Sequence, residues 1–193
     1  MNLDLLIVVL YSYIFGSIPF GLIITKIFLK KDIRNLGSGN IGATNVFRTG
    51  NKILASLTLL LDTFKGYFVI FITTIYFIDL IYLAAIICFL GHVFPIWIKF
   101  KGGKGVATYL GVILSLYFQL GLLFIISWLL ILVIFRYSSL SSIFSTFFVF
   151  LYSLILNNFS LSSFLFTMLI IIIFTHRENI TRMKNKKENK VSF

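Results

Sequence analysis

Long apolar runs, interrupted at a few polar points, lay out the elements of this chain. A first run covers Leu3 to Leu29 and contains Gly16-Ser17-Ile18-Pro19-Phe20-Gly21. Pro19 has no amide hydrogen and therefore breaks or kinks a helix there. A second run extends from Ile53 to Ile78 and a third from Leu80 to Ile98, with Asp79 at their turn. Val106 to Phe118 and Leu120 to Phe135 come next, separated near Gln119. The sixth is Leu140 to Leu156, Asn157-Asn158 marks a turn, and the seventh is Leu161 to Thr175, followed by a basic tail. Runs of this kind predict helices that cross a bilayer, whose hydrocarbon core takes about 20 residues of helix. The two pieces after Gly105 are each shorter than that. Two short helices, a re-entrant hairpin and one long tilted helix all fit the pattern.

Charge placement selects among these. If both pieces cross, the basic clusters at Lys30 to Lys52, Lys99 to Lys104, Arg136 and Arg177 to Lys190 fall on one side, leaving Asp4, Asp79, Gln119 and the two asparagines on the other. Lys and Arg concentrate on the cytoplasmic side of membrane proteins. The pattern thus predicts an all-α, polytopic integral membrane protein of about seven transmembrane helices, N-terminus outside and C-terminus cytoplasmic. It forms one membrane domain over residues 1–193, with a basic tail from about residue 176 expected to be solvated or drawn to lipid headgroups. Composition agrees: 59% of the 193 residues are hydrophobic and 12% charged, against about 25% charged in soluble domains. The net charge of +11 would suggest nucleic acid in a soluble protein. Here the membrane orientation rule accounts for it, and no nucleic-acid partner is expected. The lone Cys88, inside an apolar run, excludes an intramolecular disulfide and a multi-cysteine metal site. The N-terminus has no basic n-region and its apolar stretch outruns an h-region, so it is not read as a cleavable signal.

Three glycine- and charge-rich islands carry the candidate chemistry: Gly37 to Lys52, Lys99 to Thr108, and His176 to Arg182. Gly-rich backbone lets amides converge on phosphate oxygens, and neighbouring cations add charge. In the first island Gly37, Gly39 and Gly42 alternate with Ser38 and Asn40, and Arg48 follows. No strand precedes it, so a dinucleotide fingerprint does not fit. In the second, Lys101-Gly102-Gly103-Lys104-Gly105 opens a helix without the spacing of a Walker loop. In the third, His176 and Asn179 stand three residues apart, on one face of a continuing helix. Asp62 and Lys65 are spaced to pair within the second run, mainly as a structural ion pair. The same residues also suit ordinary basic loops, an anion transporter, or a non-enzymatic scaffold. A transporter should show polar spans or an internal repeat, and a scaffold has no need of the glycine pattern. A metal-dependent CDP-alcohol phosphotransferase needs clustered aspartates, whereas the six acidic residues here are scattered.

GSIPFG, GSGNIGATNVFR, the LDxxKG segment from Leu61 to Gly66, GHVFPIWIKFKGGKGVAT and HRENITR occur in this order. Together they resemble the bacterial membrane glycerol-3-phosphate acyltransferases that use acyl phosphate, the PlsY family, over nearly the whole chain. The resemblance implies a seven-span enzyme of the bacterial cell membrane with its site facing the cytoplasm. It implies transfer of an acyl chain from acyl phosphate to the 1-position of glycerol 3-phosphate, giving lysophosphatidic acid and phosphate for phospholipid biosynthesis. No cofactor and no metal are implied. The soluble enzyme PlsX, which makes the acyl phosphate, is the implied partner besides the two substrates and the bilayer. Carried over by motif, the catalytic set is His176, Asn179, Ser38, Arg48 and Lys104. Gly37, Gly39, Asn40, Thr44, Asn45, Lys101, Gly102, Gly103, Gly105, Ser139, Ser142, Arg177 and Glu178 bind or support the substrates. One departure stands in the tail, where Lys186 takes the approximate place of a family glycine.

Overall fold

The computed structural model describes residues 3–191. Among them all regular structure is helical: α1 (Leu3–Ser17), α2 (Phe20–Phe28), α3 (Ala43–Phe47), α4 (Lys52–Tyr76), α5 (Ile81–Val93), α6 (Val106–Leu116), α7 (Phe118–Phe135), α8 (Ser138–Ile155), α9 (Phe159–Thr175) and α10 (Arg177–Lys184). Short 3-10 turns lie at Ile33–Asn35, Ile78–Leu80 and Ile96–Ile98. Five segments are long and apolar enough to cross a membrane: Leu3–Phe28, Lys52–Tyr76, Ile78–Ile98, Phe118–Phe135 and Ser138–Ile155. A sixth is reached if α9 and α10, bent by 58°, count as one broken span. The fourth expected span is α6, an apolar helix of 11 residues.

Breaks fall where backbone chemistry requires them. Pro19 separates α1 from α2 as its missing amide predicts. The boundary expected near Gln119 lies instead at Tyr117, whose extended backbone (φ −149°, ψ 106°) starts α7. Gln119 is then in the first turn, where helix amides lack internal partners anyway. Asn51 and Asn158 cap α4 and α9 by accepting from the amides of Leu54 and Leu161.

The helices gather into two compact units, meeting in sequence between Leu116 and Tyr117. In the first, α1 packs on α5 and α4 on α6. Backbones approach closely: a Cβ at Gly16 would meet the Cys88 carbonyl, and one at Gly111 the Thr63 carbonyl. Small residues at helix contacts are the usual means of packing in lipid. α4 is inside-out relative to a soluble helix. Thr58, Asp62, Lys65 and Thr73 are buried, whereas Leu60, Phe64, Phe71 and Ile75 are exposed. That polarity suits a helix whose outer solvent is hydrocarbon. In the second unit α7 packs on α8 and α8 on α9, tied by Trp128 Nε1 donating to Ser142 Oγ at 3.1 Å and by the Ser153–Ser162 hydroxyl pair at 3.2 Å.

Candidate active site

The first island folds around one amide side chain. Asn45, on α3 and 2% exposed, accepts from the Ser38 backbone N–H at 2.9 Å through Oδ1. Its Nδ2 donates to the carbonyls of Ile33, Leu36 and Asn40 at 3.1, 2.9 and 2.7 Å. Gly37 and Gly39 take left-handed backbone (φ 56° and 73°) as the chain wraps this amide. Gly37 is doubly constrained, because a Cβ there would run into Asn45 Oδ1. Asn40 Oδ1 accepts from Gly42 N at 3.0 Å. Ser38 is exposed, while Asn40, Thr44 and Arg48 are half-buried. Asn45 therefore builds the loop from inside, and Ser38, Thr44 and Arg48 lie further out. Beneath, Ile33, Ile41 and Val46 form an apolar cluster with Leu22, Ile24 and Leu54, and Ile98 at the edge of the second island packs against it.

The second island is moulded onto the end of α5. Gly102 N donates to the Val93 carbonyl at 3.0 Å and Gly103 N to the His92 carbonyl at 3.1 Å. A Cβ at Gly103 would run into His92 Nε2, and one at Gly105, whose φ is 78°, into the Phe89 ring. Only glycine lets this backbone lie so close. Lys101 is exposed and Lys104 half-buried on either side of the glycine pair. Gly105 O accepts from Tyr109 N at 2.7 Å as α6 begins.

In the second unit His176 ends α9 and Asn179 lies in α10, both buried (2% and 4% exposed). His176 Nδ1 is 2.8 Å from the Ile172 carbonyl. A carbonyl only accepts, so Nδ1 carries the hydrogen and, in the neutral ring, Nε2 keeps the lone pair. Arg177 and Glu178 face elsewhere. The Arg177 guanidinium lies 4.5 Å over the Phe174 ring, and the exposed Glu178 is 3.8 Å from Arg182. Asn179 Nδ2 donates to Glu188 Oε1 at 2.5 Å. Arg182 Nε donates to Oε2 at 2.8 Å and Ser139 Oγ to Oε1 at 3.1 Å. Ser142 is occupied within its helix, donating to the Ser138 carbonyl at 2.9 Å.

The tail is thus pinned at two points, while Lys184, Lys186, Lys187 and Lys190 stay exposed. Val191 N donates to the Arg136 carbonyl at 2.8 Å, and the half-buried Glu188 gathers three side-chain donors. The physical reason is pairing: a single carboxylate in a run of bases finds an Arg and two neutral donors on α8 and α10. Burial pushes the Glu188 carboxyl up, but the hydrogen bonds from Asn179 and Arg182, with the Arg182 charge, outweigh it and hold it below the usual carboxylate range.

The model of the family described as glycerol-3-phosphate acyltransferase matches residues 6–186. The chain belongs to the glycerol-3-phosphate acyltransferase family. It is 54% identical over 188 residues to a glycerol-3-phosphate acyltransferase of Pelagibacter ubique, covering 97% of this chain and 98% of that one. The corresponding protein of Anaplasma marginale is 46% identical over 194 residues, with 99% and 98% covered. Among solved structures the chain is similar to PlsY, an integral membrane glycerol 3-phosphate acyltransferase, in its glycerol 3-phosphate form. That match has a TM-score of 0.92, 37% identity, and coverage of 97% of this chain and 95% of that one. The lysophosphatidic acid form of PlsY matches with a TM-score of 0.89.

Two residues hold these loops without standing out in sequence. His92 lies within the GHVFPIWIKFKGGKGVAT motif, and its ring is what Gly103 rests on. Glu188 lies in the basic tail. The available signal was its isolation, one acid between Lys184 and Lys190.

Proposed function

We propose that this protein transfers an acyl group from acyl phosphate to the 1-hydroxyl of glycerol 3-phosphate, releasing lysophosphatidic acid and inorganic phosphate. The observation that carries the reading is its likeness across 97% of the chain to a protein solved in a glycerol 3-phosphate form. The loops support it chemically. Both substrates are phosphate monoesters or anhydrides, and two glycine loops here present Ser38, Arg48, Lys101 and Lys104 beside close-packed backbone.

Acyl phosphate is a mixed anhydride with a good leaving group, so no enzyme nucleophile is required. The glycerol hydroxyl oxygen attacks the acyl carbon, a new C–O ester bond forms, and the bond to the phosphate oxygen breaks with its electron pair. His176 Nε2 accepts the hydroxyl hydrogen, and Asn179, braced by Glu188, is held alongside. Arg48 and Lys104 offset phosphate charge, so positioning and charge stabilisation supply the rate. Basic residues on one side and the apolar spans support a multi-pass protein of the bacterial cell membrane. In that reading it has seven spans, an outside N-terminus and cytoplasmic loops, and a soluble producer of acyl phosphate such as PlsX delivers the donor.

The test is purified protein in detergent given acyl phosphate and glycerol 3-phosphate. The expected result is lysophosphatidic acid and stoichiometric phosphate, with no product from acyl-CoA. Folded protein that makes none, or that works only with acyl-CoA, rejects the assignment.

A further inference from the structure

We propose that a buried Asp62–Lys65–His92 cluster positions the second glycine loop for its phosphate, with His92 as the positioning residue. The proposal rests on the reading of Lys101–Gly105 as a phosphate-binding loop.

Lys65 Nζ is 2.9 Å from Asp62 Oδ1, 2.8 Å from the Ile18 carbonyl and 2.8 Å from His92 Nδ1. The side chains of Asp62, Lys65 and His92 are 2%, 1% and 4% exposed. An ammonium only donates, so in this contact Nδ1 of His92 must accept, while Asp62 pairs with Lys65 by charge. The His92 hydrogen is then on Nε2, and the ring is neutral. Asp62 Oδ1 lies 3.6 Å from the same Nδ1; Phe20 covers Lys65 at 5.7 Å, and Cys88 Sγ approaches the Lys65 carbonyl at 3.9 Å. Among the described residues no other charged group pairs with Lys65. An ion pair inside a membrane helix is costly to keep and commonly functional.

Its reach is the loop. The imidazole occupies the space that a side chain at Gly103 would take, with Nε2, Cδ2 and Cε1 the nearest atoms. The His92 carbonyl also accepts from Gly103 N at 3.1 Å. One residue thus holds Gly103 by its ring and by its backbone, immediately before Lys104. Lys65 sets the ring's tautomer and angle, and Asp62 sets Lys65. A loop placed this way meets its phosphate already formed, which acts on affinity rather than on bond making.

Two variants separate this from a merely structural ion pair. His92→Asn keeps an acceptor for Lys65 but withdraws the ring from Gly103. Gly103→Ala forces the loop and the ring apart while keeping the Asp62, Lys65 and His92 side chains themselves. Steady-state kinetics in both substrates should show KM raised about tenfold or more for whichever substrate loses affinity in Lys104→Ala, with kcat within about threefold. Combined with Lys104→Ala, either variant should add less than its separate factor. KM within about twofold of the parent in the folded variants overturns the proposal, and Gly103→Ala decides alone if His92→Asn does not fold. Should the parent protein transfer no acyl group, the function reading fails, and hydrogen exchange decides this one. Amide exchange over Ile98–Gly105 should quicken in both variants while α4 is unchanged, and unaltered exchange there rejects positioning.

Discussion

At the scale of single residues, the two histidines use opposite tautomers for different ends. His176 gives its Nδ1 hydrogen to the Ile172 carbonyl, so Nε2 is the acceptor. His92 accepts at Nδ1 from Lys65. His176→Ala is accordingly expected to lower kcat about a hundredfold or more with little change in KM, as loss of a general base does. Near-normal turnover would transfer the proton to the substrate's own phosphate. Asn45 makes a different kind of prediction. Its amide joins four backbone groups of one loop, and buried groups left unpaired cost about 1–3 kcal/mol each. Asn45→Ala should lower unfolding stability by at least about 2 kcal/mol, read by thermal unfolding in detergent, whereas the exposed Ser38→Ala should leave stability nearly unchanged. Lys186 has φ 56°, a region that costs a side-chain-bearing residue about 1–2 kcal/mol. Glycine avoids that strain but loses about 0.5–1 kcal/mol through chain entropy. Lys186→Gly is therefore expected to stabilise slightly, by about 0.5 kcal/mol, and a destabilised variant would refute the strain account.

At the scale of elements, α10 and the strand of chain after it behave as one latch. Glu188 ties Asn179, Arg182 and Ser139 together, and the Val191 amide closes onto Arg136. The Glu188 carboxyl is held below its ordinary value in the folded state. The stabilisation is therefore fully present above the unfolded value of about 4.3 and is lost as pH falls through the lower folded value. Hydrogen exchange over Met183–Val191, corrected for intrinsic rates, should rise on acidification below about pH 4. Glu188→Gln should show faster exchange at neutral pH and lose that acid step. An unchanged acid step in Glu188→Gln would assign the effect to another group. Because Asn179 donates to this carboxylate, the same variant should also lower turnover.

At the scale of the whole molecule, orientation in the bilayer follows from where Lys and Arg are found rather than from any single contact. Cysteines introduced at Gly37, Lys101 and Asn189 should react with impermeant reagents only from the cytoplasmic side. Labelling of Lys101→Cys from outside would overturn the seven-span topology with the N-terminus outside. Cys88 is the natural background in such an experiment. It is fully buried among Val8, Val69 and Ala84, so Cys88→Ala should leave turnover nearly unchanged and give a clean parent. A large loss of kcat with normal folding would reopen a thioester route.

Much of this molecule was legible in one dimension. Hydropathy and proline chemistry act locally, so the apolar runs, the break at Pro19 and the turn at Asn157-Asn158 could be placed from neighbouring residues. The order of glycine and charged motifs was enough to indicate the family, which the match over residues 6–186 established. What the tertiary structure decided was the partner of each buried polar group. Asn45, taken from sequence as a substrate ligand, turns inward because four backbone groups of its loop need its amide. Arg177 and Glu178 adjoin His176 in sequence but lie on the exposed side of α10, since residues one and two apart on a helix do not share a face. Lys65 meets His92 across 27 positions and Ser139 meets Glu188 across 49. Such pairings depend on helix packing, and no local period encodes them. The chain by itself determined which segments are apolar helix and which are glycine- and charge-rich loop. Only the folded structure decided which charges and amides hold those loops in shape, because burial drives most polar groups to find a partner wherever packing brings one.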